Sequence, residues 1–407
     1  MLPRLWAGLL IATGLLANEW VLAHLLTDDH RIDRLGLRIA IWVVDVALVG
    51  WGLLTWRRHR HPLVRKLNAL MISLFVITPL LGEGLLRVSF LLEGSPTRDP
   101  NLYASYFSED AHWLLRLRWS TDGAKLRASD RVHPLLGWSQ SVISEDNPWG
   151  FARRTRKQMT DDGRRKILFY GDSFVAGRSK PENGIPRIMD REIASADVVH
   201  LGVGGYGTGQ IHLLFRETHR LVENPFIIIG VMTYDLDRAV LGVRTCQKPR
   251  FGVDDDGALA VSGLPVGTDQ QAFADTAPLG IRSYLWRLLV TPLRGGDPRR
   301  TEKQRVNAKI IEENVALTRK NGLSLLYVVF YSELALTGAP DWREQLLKAE
   351  LARHGVSFLD TRPLLLDHVR SRGGALSDLY SDGHHNDLGN QVIAGALTAK
   401  LRALGYR

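Results

Sequence analysis

The chain has 407 residues, 45% of them hydrophobic, and a formal net charge of +9. That length accommodates two or three domains, or one domain with membrane segments, and leaves ample apolar material for a core. A single cysteine, Cys246, excludes an intramolecular disulfide framework and reads as a partly buried structural residue. The positive balance suits nucleic acid or an anionic membrane until the basic residues are located.

Three apolar stretches open the chain, at 5–26, 35–56 and 67–92. Each is as long as a spanning helix needs, about 20 residues, and three such runs argue against one cleaved leader. Asn18, Glu19, Asp45, Glu83 and Arg87 interrupt them. Polar residues in spans face a bundle interior or the interface, and Glu83 and Arg87, four apart, can pair on one helix face. The connection RRHRHPLVRK at 57–66 carries five Lys/Arg and no acid, whereas 27–38 mixes three Arg with three Asp. The basic connection is therefore expected in the cytoplasm, with the N-terminus beside it. Everything after residue 92 then lies outside the cytoplasmic membrane, in the periplasm or envelope. Topology absorbs part of the positive charge, so the lipid bilayer is an expected partner and nucleic acid is not. A second basic run, 153–166, reads as solvated surface.

Residues 93–165 read as a linker and irregular extension, with SPTRDPN leaving the membrane and Pro, Gly and Trp recurring beyond it. From Lys166 the pattern becomes regular. Apolar strand-like runs at 167–170, 197–201, 226–232, 323–330 and 356–360 alternate with helical spacing at 184–195, 209–222, 301–322, 341–355 and 386–404. Such alternation means a parallel sheet covered on both faces. Residues 240–300 interrupt it with a hairpin around Asp256-Gly257 and a short helix in RSYLWRLLV, and read as an insertion or lid on a 166–407 domain.

In an open parallel sheet, sites lie beyond the C-terminal strand ends. Gly171-Asp172-Ser173 leaves the first strand, Gly202–Gly207 the second, and Tyr234-Asp235-Leu236-Asp237-Arg238 the third; SDGHHNDLG (381–389) precedes the last helix. A serine nucleophile needs a base, and the base an orienting acid. Asp382 and His385 have the spacing for acid and base, with His384 a competitor. The Ser173 and Gly205 backbone N–H groups are candidate oxyanion donors, since no Cβ obstructs approach at Gly205. Asp172, Asp235 and Arg238 stand beside these as candidates to orient them. His384, His385 and Asp382 could also ligate a metal, but acid-base use explains two of the three; no metal or cofactor is expected.

In order and placement these blocks resemble the SGNH (GDSL-like) hydrolase superfamily over 166–407. GDSF (171–174) is similar to its first block, HLGVGGYGTGQ (200–210) to its second and DGHH (382–385) to its last. The resemblance implies a flavodoxin-like three-layer α/β/α fold, with Ser173 as nucleophile and His385 and Asp382 as base and acid. Tyr234-Asp235 departs from the family's Asn-Asp, whose Asn is an oxyanion donor; either the Tyr234 hydroxyl or Arg238 replaces it, or this donor is absent. His200 likewise stands where Asn is common. Membrane-tethered members are similar to esterases and O-acyltransferases of exported polysaccharides. The expected protein is thus an extracytoplasmic serine esterase or O-acyltransferase acting through an acyl-enzyme. Its partners would be an ester-bearing carbohydrate and other membrane proteins of an export system. A degenerate, non-catalytic glycan-binding or assembly protein is the alternative.

Overall fold

The computed structural model describes residues 2–16, 18–26, 35–119, 131–160, 162–177, 180–293 and 296–406. Most of the mixed-charge connection at 27–38, and residues 120–130 of the extension, lie outside the described residues. The chain forms two compact units, Met1–Ser95 with Ser283–Leu285, and Pro96–Arg282 with Trp286–Arg407.

In the first unit two helical stretches, Arg38–Arg58 and Pro62–Ser89, are long and apolar enough to cross a membrane. The first apolar stretch is not the single helix expected. It divides into Leu2–Leu16 and Glu19–Leu26, because Asn18 takes over backbone partners at the break. Its amide donates to the Leu15 carbonyl (2.7 Å) and accepts from Val21 N–H (3.1 Å). The polar residues within these helices find one another. Glu19 pairs with Arg38 (2.6 Å) and accepts from Trp42 Nε1 (2.9 Å), and Arg87 pairs with Glu83 at 2.8 Å. The helix Leu2–Leu16 lies hard against Leu35–Arg58, where a Cβ on Gly14 would meet the Asp45 carbonyl at 2.8 Å.

The second unit is built on five parallel strands: β1 (Arg165–Gly171), β2 (Ala196–Gly202), β3 (Phe226–Met232), β4 (Leu325–Phe330) and β5 (Ser357–Asp360). Their order is β2-β1-β3-β4-β5, the flavodoxin-like winding. The residues explain it: Ile167–Tyr170 and Phe226–Met232 are buried along their whole length, as strands covered on both faces must be. Helices Ile185–Glu192, Thr361–Arg372 and Asp387–Ala403 pack together, and Thr208–Thr218, Arg300–Lys320 and Trp342–Arg353 form a second group. The helix Thr361–Arg372 is the one that sequence periodicity does not give. Pro363 sits in its first turn, where a missing N–H costs nothing, and Asp360 caps it through Arg362 N–H at 3.0 Å.

The stretch read as an irregular extension belongs to this unit. Its helix Asp110–Trp119 buries Trp113, Leu114 and Leu117 against Leu241, Val243 and Ala274. Farther on, Gln140 donates to the carbonyls of His200 (3.1 Å) and Gly202 (2.9 Å), covering part of the edge strand β2. The insertion holds the expected hairpin, Arg250–Val253 against Leu259–Ser262, and the helix Tyr284–Val290.

Strands β1 and β2 end side by side in Gly171 and Gly202. A Cβ on Gly202 would lie 2.5 Å from Ala176 N, and one on Gly171 would lie 2.3 Å from Val175 Cγ2. The turn after β1 therefore rests directly on both strand ends. Gly202→Ala should lower the thermal unfolding midpoint by several degrees, an overpacking cost of about 1–3 kcal/mol. Gly252→Ala, with nothing within 4 Å of the new methyl, should leave it nearly unchanged. Circular dichroism melts of the two variants check this.

Candidate active site

Ser173 opens a four-residue helical turn, Ser173–Ala176, immediately beyond β1. Asp172 caps that turn, accepting from Phe174 N–H at 2.8 Å. A β-bulge-free strand, a sharp turn and a capped helix start leave the serine at the C-terminal edge of the sheet, where open α/β folds place their chemistry.

The histidine facing it is His384. Its Nε2 lies 2.8 Å from Ser173 Oγ, and its Nδ1 lies 3.0 Å from the Asp382 carbonyl oxygen. A carbonyl only accepts, so the proton sits on Nδ1 and Nε2 is left to accept from the serine hydroxyl. His385 and the Asp382 carboxylate, expected as base and acid, are not brought to Ser173. Tyr380–Ser381 pairs antiparallel with His384–His385, with Tyr380 opposite His385 and Ser381 opposite His384. The connection is Asp382-Gly383, with φ of +50° and +73°, the two positive values of a type I′ turn. Asp382 is thus spent on the turn, its side chain exposed, and contributes its main chain. Successive strand residues face opposite ways, so His384 looks into the site while His385 enters the core. There His385 Nε2 meets Tyr380 Oη at 3.2 Å, and its Nδ1 has no partner among the described residues. Tyr380 donates its own proton to the Tyr331 carbonyl (2.8 Å), so His385 is the donor of that pair. Burial pushes its pKa down to about 3. The Asp382-Gly383 pair is the sequence signal for this hairpin.

Beneath the serine, Arg238 gathers three loops. It donates to Asp235, to the Tyr206 carbonyl (2.7 Å) and to Asp172 at 3.4 Å. Asp172 Oδ2 also lies 3.2 Å from Ser173 Oγ. Asp235 is fully buried, and burial together with the neighbouring Asp172 carboxylate holds its pKa well above the ordinary range. It accepts from Met232 N–H at 2.9 Å, closing the end of β3. All three candidates beside the site are therefore joined in one cluster. His200, by contrast, is a half-buried strand residue whose pKa desolvation lowers to about 4.

Gly204 and Gly205 form the lip beside Ser173. A Cβ on Gly204 would lie 4.0 Å from the Ser173 Cβ. Trp138 Nε1 donates to the Gly204 carbonyl at 3.0 Å, and the planar peptide then turns the Gly205 N–H to the opposite side. Gly205 has φ of +85°, a conformation that favours glycine. Neither its N–H nor that of Ser173 donates to another group among the described residues. Tyr234 lines the same cavity, with its ring 5.4 Å from Phe107 and beneath the Arg343 guanidinium. The cavity measures about 680 Å³ and takes Ser173, Gly205, Tyr234 and His384 together with Arg244 and Thr245 from the insertion. Trp138 and Arg244 carry no local periodicity or motif, and sequence reasoning missed both. Among the described residues no group of His, Cys, Asp and Glu side chains is placed to hold a metal ion.

No family model matches the chain, and no curated protein is similar to it. Solved structures are similar at low identity. A two-domain esterase active on acetylated mannans is 14% identical, with a TM-score of 0.35; the match covers 59% of this chain and 49% of that one. A lipolytic G-D-S-L family protein from Veillonella parvula is 14% identical, with a TM-score of 0.33 and coverage of 56% and 94%. A putative acylhydrolase from Bacteroides fragilis is 14% identical, with a TM-score of 0.37 and coverage of 64% and 99%.

The buried imidazole of His385 makes stability depend on pH. An unfolded His takes up a proton below about 6.5, whereas folded His385 stays neutral down to about 3. Protons therefore favour the unfolded chain within that window, and stability present above pH 6.5 is lost as pH falls. The slope is about 1.4 kcal/mol per pH unit for this one group. Denaturant unfolding of His385→Gln between pH 7 and 4 should show a shallower decline than the native chain. Equal slopes would contradict it.

Proposed function

We propose that the second unit is a serine esterase or O-acyltransferase whose nucleophile is Ser173 and whose base is His384. The observation that carries this is the 2.8 Å contact between Ser173 Oγ and His384 Nε2, with the other ring nitrogen held by the Asp382 carbonyl at 3.0 Å. As the serine oxygen attacks an acyl carbonyl, its proton passes to Nε2. The imidazolium keeps its Nδ1–H on the Asp382 carbonyl, a dipole rather than the carboxylate of a full triad. The carbonyl oxygen becomes negative and meets the free N–H groups of Ser173 and Gly205. His384 returns the proton to the departing alkoxide, leaving an ester on Ser173, which water or a sugar hydroxyl then takes up. Arg238 and the two carboxylates act through Ser173 by fixing its turn.

The substrate in this reading is an acyl ester on a glycan of the cell envelope. The cavity supports it by being broad and lined with Tyr106, Trp113 and Tyr234 beside arginines, a surface suited to sugar rings and hydroxyls rather than to an acyl chain. A non-catalytic glycan-binding protein is the second reading, favoured by Tyr234 in the expected Asn position and by the missing carboxylate behind His384. An ester-substrate panel on the full chain in detergent separates the two. Ser173→Ala and His384→Ala should each lower kcat by about 1,000-fold or more, while His385→Gln should keep at least a tenth of it. Turnover surviving Ser173→Ala would sink the enzyme reading.

An extracytoplasmic location is supported by the basic connection between the two candidate spans, Arg38–Arg58 and Pro62–Ser89. Lys and Arg favour the cytoplasmic side, so the chain leaves the second span on the outside whether or not the divided first stretch crosses. In a Cys246→Ser background, a membrane-impermeant maleimide should label Asp256→Cys on intact spheroplasts and spare Arg60→Cys. The reverse pattern would place the active unit in the cytoplasm.

A further inference from the structure

Two arginines in the Ser173 cavity carry charge that no carboxylate among the described residues answers. The lining contains Arg116, Arg238 and Arg244 and no acidic residue. Arg238 is matched below the floor by Asp172 and Asp235. Arg116 and Arg244 enter no ion pair among the described residues. Both instead lie over one ring, with guanidinium carbons 5.6 Å and 5.1 Å from the centroid of Trp113. Trp113 is fixed by its Nε1, which donates to the Tyr106 carbonyl at 3.1 Å. A smaller cavity of about 230 Å³ shares Trp113, Tyr234 and Arg244 and does hold an acid, Asp237, but that carboxylate is already bound by Lys303 (2.8 Å) and Arg343 (2.7 Å).

This arrangement is costly unless something else completes it. Arg244 Nη1 is buried with no hydrogen-bond partner among the described residues, and an unmatched buried donor forfeits the hydrogen bonds it made to water. Two cations on a single ring also repel each other. The geometry relates both to the chemistry, since Arg244 Nε would lie 3.8 Å from a Cβ on Gly205, in the lip beside Ser173. A guanidinium fork so placed matches the paired oxygens of a carboxylate or phosphate.

We infer that Arg244 and Arg116, braced on Trp113, form a subsite for a carboxylate or phosphate on the sugar unit next to the scissile ester, so that the substrate is an anionic glycan. The inference rests on the glycan-ester reading above and adds the charge of its substrate. Charge is then a specificity device: a neutral glycan leaves the buried Arg244 Nη1 and the Arg116 charge beside it unanswered, and an anionic one satisfies them.

Calorimetric titration of the full chain in detergent, carrying Ser173→Ala, tests this without any turnover. The probes are tetragalacturonate for the carboxylate, a phosphomannan oligosaccharide for the phosphate, and a neutral mannan oligosaccharide. At least one anionic probe should bind ten-fold or more tightly than the neutral one, and which of them does identifies the anion. Arg244→Gln should weaken that binding at least ten-fold and Arg244→Lys less. Exposed Arg116→Gln, which leaves the core intact, should weaken it several-fold. Equal affinity for neutral and anionic probes, no binding of either anion, or an affinity untouched by Arg244→Gln and Arg116→Gln in folded protein would overturn the subsite. Anionic binding by a chain that turns over no ester would uphold the subsite and reject the enzyme reading. Ester turnover with no anionic preference would do the opposite.

Discussion

A single guanidinium holds the site together. Arg238 lies under the serine turn and bonds to Asp172 from the first strand's loop, to Asp235 from the third and to the Tyr206 carbonyl from the second. Two carboxylates around one cation in a fully buried setting would leave a surplus negative charge, which a low-dielectric interior does not tolerate. Burial and the Asp172 carboxylate raise the pKa of Asp235, which eases that surplus by favouring its protonated form. Breaking a buried pair of this kind costs about 3–5 kcal/mol. The three loops that shape the serine, the glycine lip and the cavity floor therefore stand or fall as one unit, and the cluster's importance is to position rather than to react.

The second constraint is a turn. Two positive φ angles at Asp382 and Gly383 close the short hairpin in register, and that register sends one histidine to the serine and its neighbour to the core. The residue that would have been a triad acid is consumed by the turn and offers its carbonyl instead. A carbonyl can still fix the imidazole tautomer, which is much of what the third member of a triad does, but it stabilises the imidazolium less than a carboxylate would.

Much of the scaffold was legible because its signals are local. The run FIIIGVM has no polar interruption and is a central buried strand; Gly171-Asp172-Ser173 is strand end, cap and proposed nucleophile in three consecutive residues. What was illegible depended on partners far away in the chain. Trp138 orients the glycine lip from 66 positions away, and Gln140 covers an edge strand through two carbonyls, with no periodicity to announce either. The histidine was misread for another reason. Asp-x-x-His spacing was given precedence over Asp-Gly turn chemistry, and in a strand pair a one-residue error reverses the face. The first apolar stretch shows the same kind of local override, since one asparagine captures backbone partners and divides a run whose length alone suggested a span.

In the proposed mechanism Ser173 reacts, and His384 rather than His385 activates it. The most direct measurement is covalent capture: treat the full chain with a fluorophosphonate and map the adduct by peptide mass spectrometry. The account predicts one phosphonyl group, on Ser173, formed at least 100-fold more slowly in His384→Ala and at a near-native rate in His385→Gln. No adduct on folded protein, or an adduct whose rate depends on His385 instead, would contradict it.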